Sequence, residues 1–381
     1  MKKLKPRCLK AKTKSQKTTN KINSLYIHIP FCEHLCHYCD FAKLFYDENL
    51  ANKYLDVLFS EIDSYQIKKV KTIYIGGGTP SSLNISQLEK LLKKVTPFLS
   101  AGGEFSFELN VENITLEKLK LLKFYGVNRL SIGVQSTNLE ILKSLNRQHS
   151  FVEVEKNYYL ARELGFNNIS LDLIYGTPKQ NIEILEKDLE NLLKLNPEHL
   201  SIYELSIHPN TVFYLNNIKP LDEDESRKQY NLILKILRNR GYKRYEIANF
   251  AKPNYQSKHN LTYWQNKNYY GVGLGAHGYI KNLRYQNTKS LTKYLKGEII
   301  YEKEILSLED EEKYFWITNL RLEEGFKIDE YISRYGKKRF QRRIDQLKQT
   351  GLFKYMIKSN NQVRLNDDGL MLLDYLLIEI I

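Results

Sequence analysis

Six short runs rich in β-branched and aromatic residues recur through the first half of the chain. They are SLYIHI at 24–29, KTIYIG at 71–76, EFSFEL at 104–109, RLSIGV at 129–134, NISLDLIY at 168–175 and HLSIYEL at 199–205. Helix-like stretches such as ENLANKYLDVLFSEIDSY and SQLEKLLKKVTPFL lie between them. Strands that alternate with helices read as parallel βα units of an α/β protein. Six such units suit an open, partial (β/α)6 barrel better than a closed one of eight.

Alternation within the strands says what the barrel encloses. Leu25, Ile27 and Ile29 share one face, Tyr26 and His28 the other. Ile73 and Ile75 stand opposite Tyr74 and Gly76, and Phe105 and Phe107 opposite Glu104, Ser106 and Glu108. Leu130, Ile132 and Val134 oppose Ser131, Gly133 and Gln135; Leu171 and Leu173 oppose Ser170 and Asp172. Parallel strands packed against apolar layers on both sides read as continuous hydrophobic runs. These have one polar face, which fits a lumen filled by ligand. An antiparallel sheet with one wet face would alternate likewise, but the intervening helical patterns count against it.

Beyond about residue 300 the pattern changes. LEDEEKYFWITNLRLEEG, KIDEYISRYG and KRFQRRIDQLKQTG read as three helices, LFKYMIKSNNQVRLN as a hairpin and DDGLMLLDYLLIEI as a last helix. The expected organisation is a basic tail at 1–23, a barrel domain at 24–300 and a small helical, winged-helix-like domain at 301–381. The net charge of +14 invites a nucleic-acid partner, but residues 1–23 carry nine Lys or Arg and no acid, which leaves +5 for the other 358. A solvated, disordered tail accounts for that excess. No aromatic RNA-binding motif appears, so no nucleic-acid partner is expected. No apolar run approaches the ~20 residues of a membrane span. The tail does not resemble a signal peptide, and the chain has four cysteines, so a cytoplasmic, reducing location is expected.

Three of those cysteines, Cys32, Cys36 and Cys39, fall in FCEHLCHYCDF directly after the first strand. His34 or His37 could complete a zinc tetrahedron, although structural zinc sites use two separated ligand pairs and no second pair is present. Thiolates also hold iron–sulfur clusters. Three of them on a four-iron cluster leave one iron without a protein ligand, an open corner where chemistry can occur.

Cys-x3-Cys-x2-Cys after the first strand of a βα series, within YIHIPFCEHLCHYCDF, resembles the radical S-adenosylmethionine (SAM) proteins of the coproporphyrinogen III dehydrogenase-related family. The resemblance implies a [4Fe–4S] cluster on the three cysteines and SAM on its open iron, with Tyr38 beside them. One-electron cleavage of SAM to a 5′-deoxyadenosyl radical is the family's chemistry. GGGTP, holding Gly77, Gly78 and Thr79, resembles the loop for the methionine end of SAM, its glycines letting backbone amides approach a ligand. Residues matching Tyr26, Gly77 and Glu108 serve a first SAM, those matching Gln135, Arg147 and Asp172 a second; Ser206 is added as a cofactor contact. His277 matches a position near SAM in relatives and His28 stands on the polar face before the cysteine loop, with a structural role at least as open for each.

Within that family the chain resembles the HemW-type haem chaperone branch. Phe41 stands where the dehydrogenases carry a further cysteine, and only a basic tail precedes the first strand. HNLTYW at 259–264 matches the branch's HNxxYW motif, which makes His259, Asn260, Tyr263 and Trp264 candidate haem contacts. An imidazole is a common axial ligand and the aromatic rings offer flat surface. Alternatively, His259 and Asn260 cap a turn and Trp264 packs in the core. The implied partners are haem, a haem-acceptor protein and an electron donor such as a flavodoxin or ferredoxin. The alternative activity is oxygen-independent coproporphyrinogen III dehydrogenation.

Overall fold

The six runs form parallel strands in sequential order. In the computed structural model, which describes residues 22–359 and 361–380, they are β1 (Ser24–Ile29), β2 (Val70–Gly77), β3 (Leu99–Asn110), β4 (Arg129–Gln135), β5 (Ile169–Tyr175) and β6 (His199–Glu204). Nearly all of the expected basic tail lies outside the described residues. Three short strands that sequence reasoning missed extend the sheet to nine: β7 (Lys243–Glu246), β8 (Asn249–Ala251) and β9 (Tyr270–Val272). β9 adds parallel to β1, while β8 adds antiparallel to β6 and β7 to β8. Strands of three or four residues are too short to show a period of two.

The apolar faces point outward, against helices. Leu25, Ile27, Ile73, Ile75, Phe105, Phe107, Leu130, Leu171 and Leu173 are fully buried. They meet Ala51, Tyr54, Leu55, Leu58 and Ile62 of the helix Glu48–Ser64, and Leu88, Leu91, Leu92 and Val95 of the helix Ile85–Val95. Three- and four-residue spacing puts each set on one helical stripe. Each fully buried Leu or Ile contributes roughly 1.5–3 kcal/mol. The polar faces therefore turn to the lumen.

A short helix, Lys258–Trp264, closes the lumen at the strands' N-terminal ends. Glu104 on β3 accepts the backbone N–H groups of Lys258 and His259, each at 3.0 Å. His259 Nδ1 lies 2.8 Å from the Thr72 hydroxyl on β2, which donates to Ser24 on β1; Ser24 in turn is 2.8 Å from Thr262. The HNLTYW segment is thus bound to three strands and forms the barrel floor.

The segment GVGLGAHGY returns along β1 and is fastened by a buried carboxylate. Glu61 accepts from Gly273 N (2.9 Å), Asn287 Nδ2 (2.7 Å) and the Tyr294 hydroxyl (2.6 Å). Downstream, Ile300–Ile305 pairs antiparallel with Leu283–Asn287, so the sheet there spans residue 300. A second apolar cluster runs from Phe315 to Leu377. It contains the three expected helices, Leu308–Asn319, Ile328–Tyr335 and Lys337–Gln349, and the hairpin Met356–Lys358 with Gln362–Leu365. The expected last helix is two, Asp367–Met371 and Leu373–Ile380; Gly369 within the first weakens helix propagation. Among the described residues no helix is long and apolar enough to cross a membrane.

Burial pushes the Glu61 carboxyl up from 4.5 to about 7, against three hydrogen bonds that favour its charge. Below pH 4.5 folded and unfolded chains both carry the proton. Between 4.5 and about 7 the unfolded carboxyl ionises first, so its contribution to stability falls as pH rises and is lost above 7. Glu108, also pushed up to about 7, acts in the same window. Glu61→Gln cannot ionise. Urea unfolding should show it gaining on the wild type between about pH 5 and about pH 8, by up to roughly 3 kcal/mol.

Candidate functional site

The C-terminal ends of β2 to β6 surround a cavity of about 380 Å³, and the cysteine loop lies across its mouth. This is the barrel face where βα loops gather. Of the expected site residues, Cys32, Cys36, Cys39, Tyr38, Gly77, Gly78, Thr79, Glu108, Gln135, Arg147, Asp172, Ser206 and Asn260 line it. Tyr26, His259, Tyr263 and Trp264 are not among its lining residues.

The loop is fixed at several points. Phe31–Cys32 pairs with Leu44–Phe45, and Tyr46 N donates to Cys32 O at 2.9 Å. His28 donates from Nε2 to Ala42 O (2.8 Å) and accepts at Nδ1 from the Tyr26 hydroxyl (3.0 Å). Burial lowers His28 to about 4, so it stays neutral in this clamp. Asn146 holds Leu35 O at 2.8 Å, and His37 Nδ1 bonds Ser144 O at 2.9 Å. His37 is not among the residues that line the cavity.

The glycine loop fits against these groups. A Cβ on Gly77, whose φ is +118°, would stand 2.6 Å from the His28 ring, and one on Gly78 would stand 2.7 Å from the Pro30 carbonyl carbon and 3.0 Å from Cys32 Sγ. Its amides are committed inward: Gly77 N donates to Glu108 (3.0 Å), Gly78 N to Ile29 O (2.9 Å) and Thr79 N to Phe31 O (2.8 Å). The expectation of ligand-facing amides is corrected accordingly, because those donors hold the loop to β1, β3 and the cysteine segment.

Charged groups on the lumen wall are held by neighbours. Asp172 accepts from Ser131 (3.2 Å) and Ser170 (3.1 Å), and burial raises its pKa. The Arg147 guanidinium donates to Gly133 O at 2.7 Å and reaches Glu112 at 3.4 Å. Burial opposes the charge on Glu112, but the His149 hydrogen bond and Arg147 outweigh it and hold the carboxyl down at about 2. Arg147 Nε is buried without a partner. Gln135 ends β4 in the left-handed region, φ +68°, where the strand register shifts.

The HNLTYW segment sits deeper than its aromatic character suggested. His259 is fully buried, with Nε2 bonded to the Tyr263 hydroxyl at 2.7 Å as well as Nδ1 to Thr72. Trp264 packs beneath the Arg321 guanidinium, 5.1 Å from its ring centre. Asn260 alone of the four lines the cavity. His277 lies on the strand His277–Ile280, exposed and outside the cavity lining.

Residues 26–192 match the radical SAM superfamily. The haem chaperone HemW of Lactococcus lactis is 39% identical over 83% of this chain and 86% of that protein, and its Bacillus subtilis counterpart 39% identical over 83% and 88%. The chain belongs to the HemW-type branch of the radical SAM proteins. The solved structure of coproporphyrinogen III oxidase from Escherichia coli, a radical SAM enzyme, shares the fold: TM-score 0.83 at 24% identity, over 95% of this chain and 90% of that one.

Family membership implies a [4Fe–4S] cluster and SAM, and the donor set fits them. Among the described residues three free thiols, all soft ligands, line one cavity. Burial first, and the neighbouring cysteines after it, push the Cys32 thiol up to about 12, and burial raises Cys39. Thr79 donates to Cys32 Sγ at 3.4 Å and Arg147 to Cys36 Sγ at 3.8 Å.

Alternation had put Tyr74 on the lumen face without naming it as a site residue, whereas Arg129, Ser201 and Tyr203 were missed as cavity residues. The signal was available. Arg129 precedes Ser131 by two, and Ser201 and Tyr203 alternate with Leu200 and Ile202 on β6.

Gly78→Ala tests the loop's fit. Its methyl group meets backbone on one side and Cys32 on the other, so the cysteine segment must shift. Anaerobic reconstitution should give well under half the wild-type iron and sulfide, and wild-type loading would show that the contact is unimportant.

Proposed function

We propose that the protein binds haem and passes it to an acceptor protein in the cytoplasm, with a [4Fe–4S] cluster on Cys32, Cys36 and Cys39 and SAM at the same site. The observation that carries this reading is Phe41. Where the dehydrogenase-type relatives carry another cysteine, this chain places a phenyl ring, 64% exposed, at the rim of the cavity. An exposed aromatic beside a polar funnel suits the face of a porphyrin. The relatives named as haem chaperones support it along four-fifths of the chain.

When bound, the cluster supplies one electron at a time and an open iron for SAM, with a flavodoxin or ferredoxin as the proposed donor. The chain's own residues orient the ligands. Gly77, Gly78, Thr79 and Glu108 form an edge rich in acceptors, because the loop's amides already donate elsewhere. That edge suits the ammonium group of SAM. Glu108, pushed up to about 7 by burial, gains from a neighbouring cation that favours its charge. Tyr26 acts one step back, through His28 and the loop. Arg147, Gln135 and Asp172 offer one cation, one amide and one carboxylate to a second SAM. Tyr38 and Ser206 complete the wall. His259, Tyr263 and Trp264 support the floor that presents Asn260, so direct haem contact by them requires that helix to move.

Parallel assays of reconstituted, oxygen-free protein with haemin and with coproporphyrinogen III separate carrier from dehydrogenase. The expected result is a Soret band with haemin and no protoporphyrinogen IX. Product formation would establish the dehydrogenase instead.

A further inference from the structure

We infer that the C-terminal domain binds duplex DNA, laying the helix Lys337–Gln349 in the major groove with the hairpin that follows it against the flanking phosphates. The inference goes beyond the haem-binding reading and does not depend on it.

Topology supplies the shape. The helix Leu308–Asn319 leads to the strand Phe326–Lys327, then to the helices Ile328–Tyr335 and Lys337–Gln349, and then to the hairpin Met356–Lys358 with Gln362–Leu365. Gln362–Leu365 is the central strand, paired with both of the others. Gly336, at φ +88°, joins the last two helices in a single-residue turn. In a helix pair of this kind the second helix is the one that enters a major groove. That groove, about 12 Å wide in B-form DNA, admits one α-helix. A buried carboxylate seats the helix. Glu312 accepts from Arg339 (2.8 Å), Arg343 Nε (3.0 Å) and the Tyr331 hydroxyl (2.6 Å), while Phe340, Ile344 and Leu347 pack inward. The opposite face is left to solvent.

Charge supplies the ligand. Residues 301–333 carry four Lys or Arg against ten Asp or Glu, whereas residues 334–364 carry ten against one. The whole-chain balance that spoke against a nucleic-acid partner averages this segregation away. Spacing of three and four puts Lys338, Gln341 and Arg342 on one exposed stripe. Lys337 and Lys348 flank it, and Lys358 is exposed on the hairpin. Among the described residues these four lysines make no ion pair, and Arg342 stands 3.8 Å from a Glu312 that already holds two closer arginines. Asp345, the single acid of the segment, accepts from the Gln341 amide at 2.8 Å. Lys, Arg and Gln are the side chains that meet phosphates and base edges. A protein partner would need an apolar centre, and the exposed face of this helix has none. No residue of 334–364 lines the cysteine cavity, so the face is not part of the site an electron donor must approach.

Fluorescence anisotropy of a labelled DNA duplex, titrated with the full chain over a range of salt, tests this with two variants. One carries Lys338→Ala, Arg342→Ala and Lys348→Ala together. The other has the nine cations of residues 1–23 replaced by Gln, because that tail attracts phosphate by itself. The triple variant should bind about tenfold or more weakly, with the log–log salt slope flattened by about 2 to 3. Its thermal melting should match the wild type, since the three side chains face solvent and Glu312 keeps its closer partners. The tail variant should still bind the duplex and still respond to the triple change. Duplex RNA, whose deep, narrow major groove excludes a helix, should compete poorly. Wild-type affinity and slope in the triple variant overturn the inference, as does binding lost only in the tail variant. RNA that competes as well as DNA overturns the groove assignment. A chain that binds no DNA sinks the inference and leaves the haem reading untouched.

Discussion

A strand with helices on one side and a lumen on the other can carry charge only where the lumen satisfies it. All six central strands of this protein meet that condition with the same device, one aliphatic face and one polar face. The aliphatic faces make the core, and by doing so they force Glu104, Glu108, Arg129 and Asp172 inward. Buried charge of this kind is tolerated only with partners. Here the partners are strand serines, backbone amides of the glycine loop and the N-terminal amides of the floor helix. The polar lumen is therefore built as a consequence of core packing, and its two ends do different work. The floor is closed by hydrogen bonds that leave little freedom. The mouth is left to a loop.

That loop is held by contacts that only small or neutral groups permit. Gly77 lies against a neutral His28, Gly78 against Pro30 and Cys32, and the loop's return is pinned through Ala42. The thiols arrive in a place where burial, more than any other cause, raises the pKa of Cys32 and Cys39. Such a site has a use for a metal that displaces protons, since a coordinating thiol is deprotonated outright.

Much of this was legible in the sequence because a period of two is hard to mistake over six residues. The six parallel strands, the inward Glu108 and Asp172 and the cysteine loop all followed from alternation and spacing. What escaped notice was short or conditional. Strands β7 to β9 hold three or four residues each, so no period could show. The direction of the GGGTP amides depends on a partner, Glu108, some thirty residues away. The HNLTYW segment looked like ligand-binding surface because His, Tyr and Trp are the residues that bind haem. They are also residues that seal a barrel end when Thr72 and Ser24 stand opposite, and no local pattern separates those roles.

The barrel mouth is proposed to hold an iron–sulfur cluster with one corner open to the hydrophilic interior. Electron paramagnetic resonance of the reduced, reconstituted protein, recorded with and without SAM, tests this most directly. SAM binding at the vacant iron should visibly change the g-values and line shape of the cluster signal. Superimposable spectra at saturating SAM would contradict it.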